Sequence, residues 1–167
     1  MLLASCLILG DSHADGTAAA VRAALGNRCT VVARAGIGSA AILDRTPAGS
    51  YGSAVISAGA NDAGNPHLAD NLNAIRGKLQ VGKVVWLLPY DRRATAAIEN
   101  VAKRWGDLVI DLAWARARRD GIHCQSYSWV ARSISRAGYA GSVRVAFWTG
   151  LPSRSARAAE GGGLPRP

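Results

Sequence analysis

What most constrains this chain is an alternation. Five short apolar runs, at residues 2–9, 29–34, 53–57, 83–88 and 107–112, are separated by segments whose apolar residues recur at helical spacing. The runs show little polar–apolar alternation, which is the pattern of strands covered on both faces. Between them, Ala18, Val21 and Leu25 form one stripe and Gly26 supplies a stop. Leu68, Leu72, Ile75 and Leu79 follow Pro66 as a second stripe. Ala94, Ala97, Ile98 and Val101 make a third, and Tyr127, Val130, Ala131 and Ile134 a fourth. Residues 39–43 read as a short or irregular helix. Strands alternating with helices imply βαβ units, right-handed crossovers and a parallel sheet. The expected fold class is α/β: a three-layer α/β/α domain with a five-stranded parallel sheet in the flavodoxin-like order 2-1-3-4-5. Such sheets bind ligands beyond the carboxyl ends of their strands. The loops to search are therefore 10–15, 35–39, 58–65, 89–93 and 113–123.

A chain of 167 residues holds one such domain. Its expected extent is 1–140. Residues 141–167 read as a candidate edge strand at Val143–Trp148 followed by a flexible basic tail rich in Gly, Pro, Ala and Arg. No apolar run approaches the roughly 18 residues of a membrane span.

Charge and cysteines limit the partners. Lys and Arg number 20 against 11 Asp and Glu, a net charge of +9. That balance favours an anionic partner, such as a nucleic acid, an acidic glycan or a membrane surface, without choosing among them. Solvated helix faces would explain it equally well. Cys6, Cys29 and Cys124 are an odd count with no Cys-x-x-Cys spacing. That argues against a disulfide framework and a zinc ribbon, and Cys6 and Cys29 read as small core residues. Leu3-Ala4-Ser5-Cys6 has the shape of a lipoprotein cleavage box, but no cation precedes it and the apolar stretch is too short for a signal peptide. With no signal visible, the expected compartment is the cytoplasm, with export by other means left open. Neither a metal nor an organic cofactor is indicated.

Three short motifs carry chemistry. Strand one runs into Gly10-Asp11-Ser12-His13. This sets the Ser12 hydroxyl at a strand-to-helix turn, with its N–H near a positive helix end. Asp11 or Ser12 would also serve simply as a helix N-cap. Strand three runs into Gly59-Ala60-Asn61-Asp62, where Asn61 offers a side-chain amide or merely builds a turn. After strand five comes Asp120-Gly121-Ile122-His123. An Asp three residues before a His can reach the imidazole and fix its tautomer; a polar surface turn would have the same sequence. Each motif falls beyond the carboxyl end of a different strand, so a nucleophile, an amide donor and an Asp-oriented base converge on one crevice.

In this combination the sequence resembles the SGNH hydrolases, or GDSL-type esterases, over about residues 5–137. The resemblance implies Ser12 as nucleophile, His123 as base, Asp120 as its orienting carboxylate, and Ser12 and Asn61 in the oxyanion hole. The family's second block adds a backbone N–H, for which Gly36 and Gly38 are the candidates in Ala35-Gly36-Ile37-Gly38-Ser39; some ungapped matches would choose Ser39. His13 stands where the first block usually has Leu, a variant familiar in members acting on acyl groups of surface sugars. The α/β-hydrolase elbow fits less well, since Ala14 occupies its second Gly position. Neither a P-loop nor a Rossmann glycine fingerprint occurs.

The expected function is a serine ester hydrolase cleaving short-chain acyl esters, acetyl foremost, through an acyl-enzyme. Short loops imply a shallow, open crevice with Asp11, Tyr90 and Trp114 as substrate-contact candidates. The expected partner is a small ester or an acetylated glycan, and the Arg-rich surface would suit an anionic polymer. Narrower or competing readings are a polysaccharide or peptidoglycan O-acetyl esterase, and a non-catalytic glycan- or nucleic-acid-binding relative.

Overall fold

The computed structural model describes residues 6–26 and 29–135. The candidate edge strand and the basic tail lie outside the described residues. Five strands form one parallel sheet in the order β2-β1-β3-β4-β5: β1 Cys6–Gly10, β2 Cys29–Ala33, β3 Gly49–Ser57, β4 Leu79–Leu88 and β5 Leu108–Asp111. The helices are α1 Ser12–Leu25, α2 Ser39–Arg45, α3 Leu68–Lys78, α4 Thr95–Trp105 and α5 Ser128–Ile134.

Strand side chains alternate between two cores. Leu7, Leu9, Ala54, Ile56, Trp86 and Leu88 pack with α2, α3 and α4 on one face. Ile8, Val55 and Leu87 pack with α1 and α5 on the other. The architecture is thus the three-layer α/β/α sandwich expected from the apolar runs. Strands β3 and β4 begin four residues earlier than their apolar runs, pairing Gly49 with Leu79 and Tyr51 with Val81. Their first halves are mostly half-buried or exposed, so apolar content alone does not reveal them. Leu79, placed by its spacing in the second helical stripe, instead opens β4, where it is still buried.

A buried ion pair joins α3 to the start of β5. Arg76 Nε and Nη2 reach the two Asp107 oxygens at 2.8 and 3.1 Å, and the indole N–H of buried Trp86 donates to Asp107 Oδ2 at 3.0 Å. The Arg76 guanidinium lies 4.8 Å above the Trp105 ring. Removing one partner would strand an uncompensated charge in the core.

The cysteine reading needs correction. Cys6 and Cys29 sit opposite each other in the β1–β2 register, with Cα atoms 4.4 Å apart, and form a disulfide. Spacing along the chain gives no hint of this, because the register of parallel neighbours creates the pair. Cys124 is free and buried.

Candidate active site

The turn after β1 is built around a glycine. Gly10 has φ +143°, and a Cβ there would lie 1.9 Å from the Ser57 carbonyl oxygen at the end of neighbouring β3. Only glycine allows that approach. The Asp11 N–H then donates to the same carbonyl at 3.2 Å. Asp11 Oδ1 caps α1 by accepting from the His13 N–H at 2.9 Å, and it also accepts from Ser57 Oγ at 2.7 Å. Asp11 is fully buried, which pushes its carboxyl up to about 6 despite those donors. Ser12 is thereby fixed as the first residue of α1.

Beyond β5 the chain makes a 3₁₀ turn at Leu112–Trp114 and then a narrow hairpin. Ala117 faces Cys124 across an antiparallel bridge, and the Arg118 N–H donates to the His123 carbonyl at 2.7 Å. At the hairpin tip, Asp120 Oδ1 accepts from the Ile122 and His123 N–H groups at 2.8 and 2.9 Å. Its Oδ2 lies 3.0 Å from His123 Nδ1. The backbone donors, His123 first, and then the imidazole hold the Asp120 carboxyl well below the usual carboxylate range. An ionised carboxylate can only accept, so Nδ1 carries the imidazole proton. The Nε2 lone pair then faces Ser12 Oγ at 2.9 Å. Ser12, His123 and Asp120 form one hydrogen-bonded chain that crosses 111 residues of sequence at its first link.

Behind His123 lies a buried polar cluster. The His13 ring centroid is 5.7 Å from that of His123, and His13 Nδ1 is 2.8 Å from the Tyr127 hydroxyl. Burial first, and the neighbouring His123 second, push His13 down to about 4, so it is neutral near pH 7. Gly16 lets α5 approach α1 at this point, since a Cβ would fall 2.4 Å from the Tyr127 ring. The Tyr90 hydroxyl donates to the Ala115 carbonyl at 3.0 Å and lies 3.2 Å from Cys124 Sγ. With its proton committed to Ala115, the phenol can only accept from the thiol, which burial keeps protonated.

The remaining two loops meet beside β1. Gly59, at φ +99°, turns the chain out of β3. Asn61 is exposed, and its Nδ2 donates to the Ile37 carbonyl at 3.0 Å, which leaves a second amide hydrogen uncommitted to that bond. Gly36 sits in an exposed turn at φ +78°, with open space around it. Gly38 caps α2 against Asp62. The Ser39 N–H donates to Asp62 Oδ2 at 2.9 Å, so that donor is already engaged within the protein.

Of the residues singled out by motif, the structure joins Ser12, Asp120 and His123 directly and sets Gly36, Gly38 and Asn61 on the two adjacent loops. Among the substrate-contact candidates, Trp114 is 63% exposed, whereas Asp11 is buried and the Tyr90 hydroxyl is turned inward. Sequence reasoning took Tyr127 only as part of a helical stripe, and it missed Ser57 and Asn65. Their only sequence signal is a polar residue at a strand or loop end, which is common. Among the described residues no group of three or more His, Cys, Asp or Glu side chains is placed to hold a metal.

No protein-family model and no curated protein matches the sequence. Solved structures do match the fold. The C-terminal catalytic domain of peptidoglycan O-acetyltransferase A from Streptococcus pneumoniae, solved with a methylsulfonyl adduct, superposes with a TM-score of 0.56 at 17% identity, covering 81% of this chain and 92% of that one. A G-D-S-L family protein from Desulfitobacterium hafniense gives 0.60 at 15% identity, over 80% and 99%. A carbohydrate esterase family 2 enzyme with a carbohydrate-binding domain, from Corynascus thermopiles, gives 0.60 at 15% identity, over 81% of this chain and 65% of that one. The five-stranded sheet in the order 2-1-3-4-5, flanked by helices on both faces, is the α/β fold of the SGNH hydrolases.

Proposed function

We propose that this protein is a serine ester hydrolase that removes short acyl groups, acetyl foremost, through an acyl-enzyme. The observation that carries the reading is the chain Asp120–His123–Ser12, at 3.0 and 2.9 Å. In this mechanism Nε2 of His123 takes the Ser12 proton as Oγ attacks the ester carbonyl. Asp120 stays ionised and stabilises the imidazolium. The Ser12 N–H, the Asn61 amide and a backbone N–H from Gly36 or Gly38 hold the oxyanion. The leaving alcohol takes the proton back from His123, and water then repeats the cycle on the acyl-enzyme.

Acetylated glycans are the proposed substrate class. Supporting this are the structural neighbours, which include a peptidoglycan O-acetyltransferase domain and a carbohydrate esterase. The His123 hairpin adds a charge preference. Arg116, Arg118 and Arg119 make no salt bridge among the described residues, and exposed Trp114 and Ile122 flank them in sequence. Cations beside an exposed indole suit an acetylated glycan that bears negative charge.

The test is acetate release from p-nitrophenyl acetate, acetylated xylan and acetylated peptidoglycan, with fluorophosphonate labelling to locate the nucleophile. Labelling confined to Ser12, and loss of turnover in Ser12→Ala and His123→Ala, are expected. Normal turnover by folded Ser12→Ala would end the assignment. Failure of the wild type on every ester, with a low-salt electrophoretic shift of a nucleic acid, would favour the binding-protein alternative.

A further inference from the structure

We infer that Asp62 is a positioning residue that clasps the two loops carrying the oxyanion donors; this rests on the proposed esterase reading. Consecutive side chains, Asn61 and Asp62, grip Ile37 in the loop before α2 and Ser39, the first residue of α2. Asn61 Nδ2 holds the Ile37 carbonyl at 3.0 Å, and Asp62 Oδ2 holds the Ser39 N–H at 2.9 Å and the Ser39 hydroxyl at 2.6 Å. Between them Gly38 packs closely on the clasp: a Cβ there would lie 3.0 Å from Asp62 Cγ, so Asp62 would have to shift by a few tenths of an ångström to admit it. Asn65 Nδ2 adds a third donor to Asp62 Oδ2 at 3.1 Å, and Asn71 Nδ2 donates to Ser39 Oγ at 2.9 Å. Ser39 is fully buried, so the Asp62–Ser39 side of the clasp is partly shielded from competing water, whereas the Asn61–Ile37 bond is exposed.

The chemistry explains why a carboxylate is used. Oδ2 accepts three hydrogen bonds, which an ionised oxygen does better than a neutral amide. All three donors converge on one oxygen, while Oδ1 is buried with no partner among the described residues. The charge is therefore spent on the loop–loop junction. The Ile37 carbonyl orients the Asn61 amide, so the position of that carbonyl decides where the second amide hydrogen points. Asp62 fixes the loop two residues further on. It acts on the reaction through Asn61 and the Gly38 region, without touching substrate itself. A misplacement of about 1 Å in such a constellation costs up to roughly 100-fold in rate.

The experiment compares wild type, Asp62→Ala and Asp62→Asn by acetate-ester kinetics and by hydrogen exchange over residues 35–45. Asp62→Ala should lower kcat roughly 10- to 100-fold with KM nearly unchanged and speed exchange at Ser39. Asp62→Asn, which can still offer one carbonyl oxygen to the Ser39 donors, should recover part of both. A purely structural role would lower the melting temperature while leaving kcat per folded molecule intact, and that result overturns the inference. Unchanged exchange in the loop of Asp62→Ala overturns it as well. If the wild type itself turns over no ester, the esterase reading has failed; if the wild type is active and Asp62→Ala equally so, only the clasp has failed.

Discussion

Two oppositely perturbed groups sit two residues apart at the start of α1, and their effects on stability should partly cancel. His13 is buried neutral and pushed down to about 4 from 6.5. Its contribution is present above pH 6.5 and is lost as pH falls toward 4, because the unfolded chain gains a proton that the folded one refuses. Asp11 is pushed up to about 6 from 3.8. Its contribution is full below pH 3.8 and is lost as pH rises through about 6. At 1.36 kcal/mol for each factor of ten in proton affinity, acidification from pH 7 to 4 costs about 3 kcal/mol through His13 and returns about 2 kcal/mol through Asp11. The assay is urea unfolding of wild type, His13→Gln and Asp11→Asn at pH 4, 5, 6 and 7. Other titrating groups are common to all three proteins and drop out of the differences. Relative to wild type, His13→Gln should gain about 3 kcal/mol on going from pH 7 to 4, and Asp11→Asn should lose about 2 kcal/mol over the same span. Differences that do not change with pH would refute the reasoning. They would mean that both side chains titrate alike in the folded and unfolded chain, so that burial at the α1 start perturbs neither.

Three further outcomes are expected. Asn61→Ala should lower kcat by roughly 100- to 1000-fold with little change in KM, since in the proposed mechanism its amide would bind the developing oxyanion more strongly than the ground-state carbonyl; a change confined to KM would move Asn61 to substrate binding. Acetate esters should surpass octanoate esters in kcat/KM, because the proposed shallow crevice would not bury a long chain; a preference rising with chain length would contradict this. Tyr127→Phe should loosen His13 without removing the Ser12–His123 contact, and thus lower stability by about 1 kcal/mol, measured by urea unfolding, while kcat changes less than threefold; a large loss of kcat would give Tyr127 a direct part in holding His123.

The elements legible in the sequence are those whose physics is local. Apolar runs without alternation mark strands covered on both faces, and Ile8, Val55 and Leu87 are buried against one helical layer as that pattern requires. The i, i+3, i+4 stripes mark α3, α4 and α5, whose buried residues include Leu72, Ile98 and Val130. The Asp120–His123 contact is legible too, because both partners lie on one four-residue turn. What escapes is pairing across the sheet. Ser57 meets Asp11 only because β3 lies beside β1, and Asp62 meets Ser39 only because two loops converge at the same sheet edge. Exposed strand beginnings escape for another reason, since Ser50 and Gln80 pair through their backbones and side chains without any apolar signature.

The disulfide is the sharpest case of such pairing, and its consequence can be worked out from chain connectivity. Cys6 and Cys29 are 23 residues apart, and the bond closes a loop containing the whole of α1. In the chain-entropy picture, closing a loop of that size in the unfolded chain stabilises the fold by about 3 kcal/mol. The bond also ties edge strand β2 to β1, the strand that delivers Ser12. Yet it lies at the opposite end of β1 from Gly10 and the candidate active-site turn. Stability and activity should therefore separate. Cys29→Ser, or reduction by dithiothreitol, should lower unfolding free energy by about 3 kcal/mol while leaving acetate-ester kcat within about twofold at a temperature where both forms remain folded. Denaturant unfolding with and without reductant, paired with kinetics at low temperature, reads both quantities. A reduced protein as stable as the oxidised one would show that β1 and β2 hold their register without the bond. A selective loss of kcat in the folded reduced form would show that strain at one end of β1 reaches Ser12 at the other.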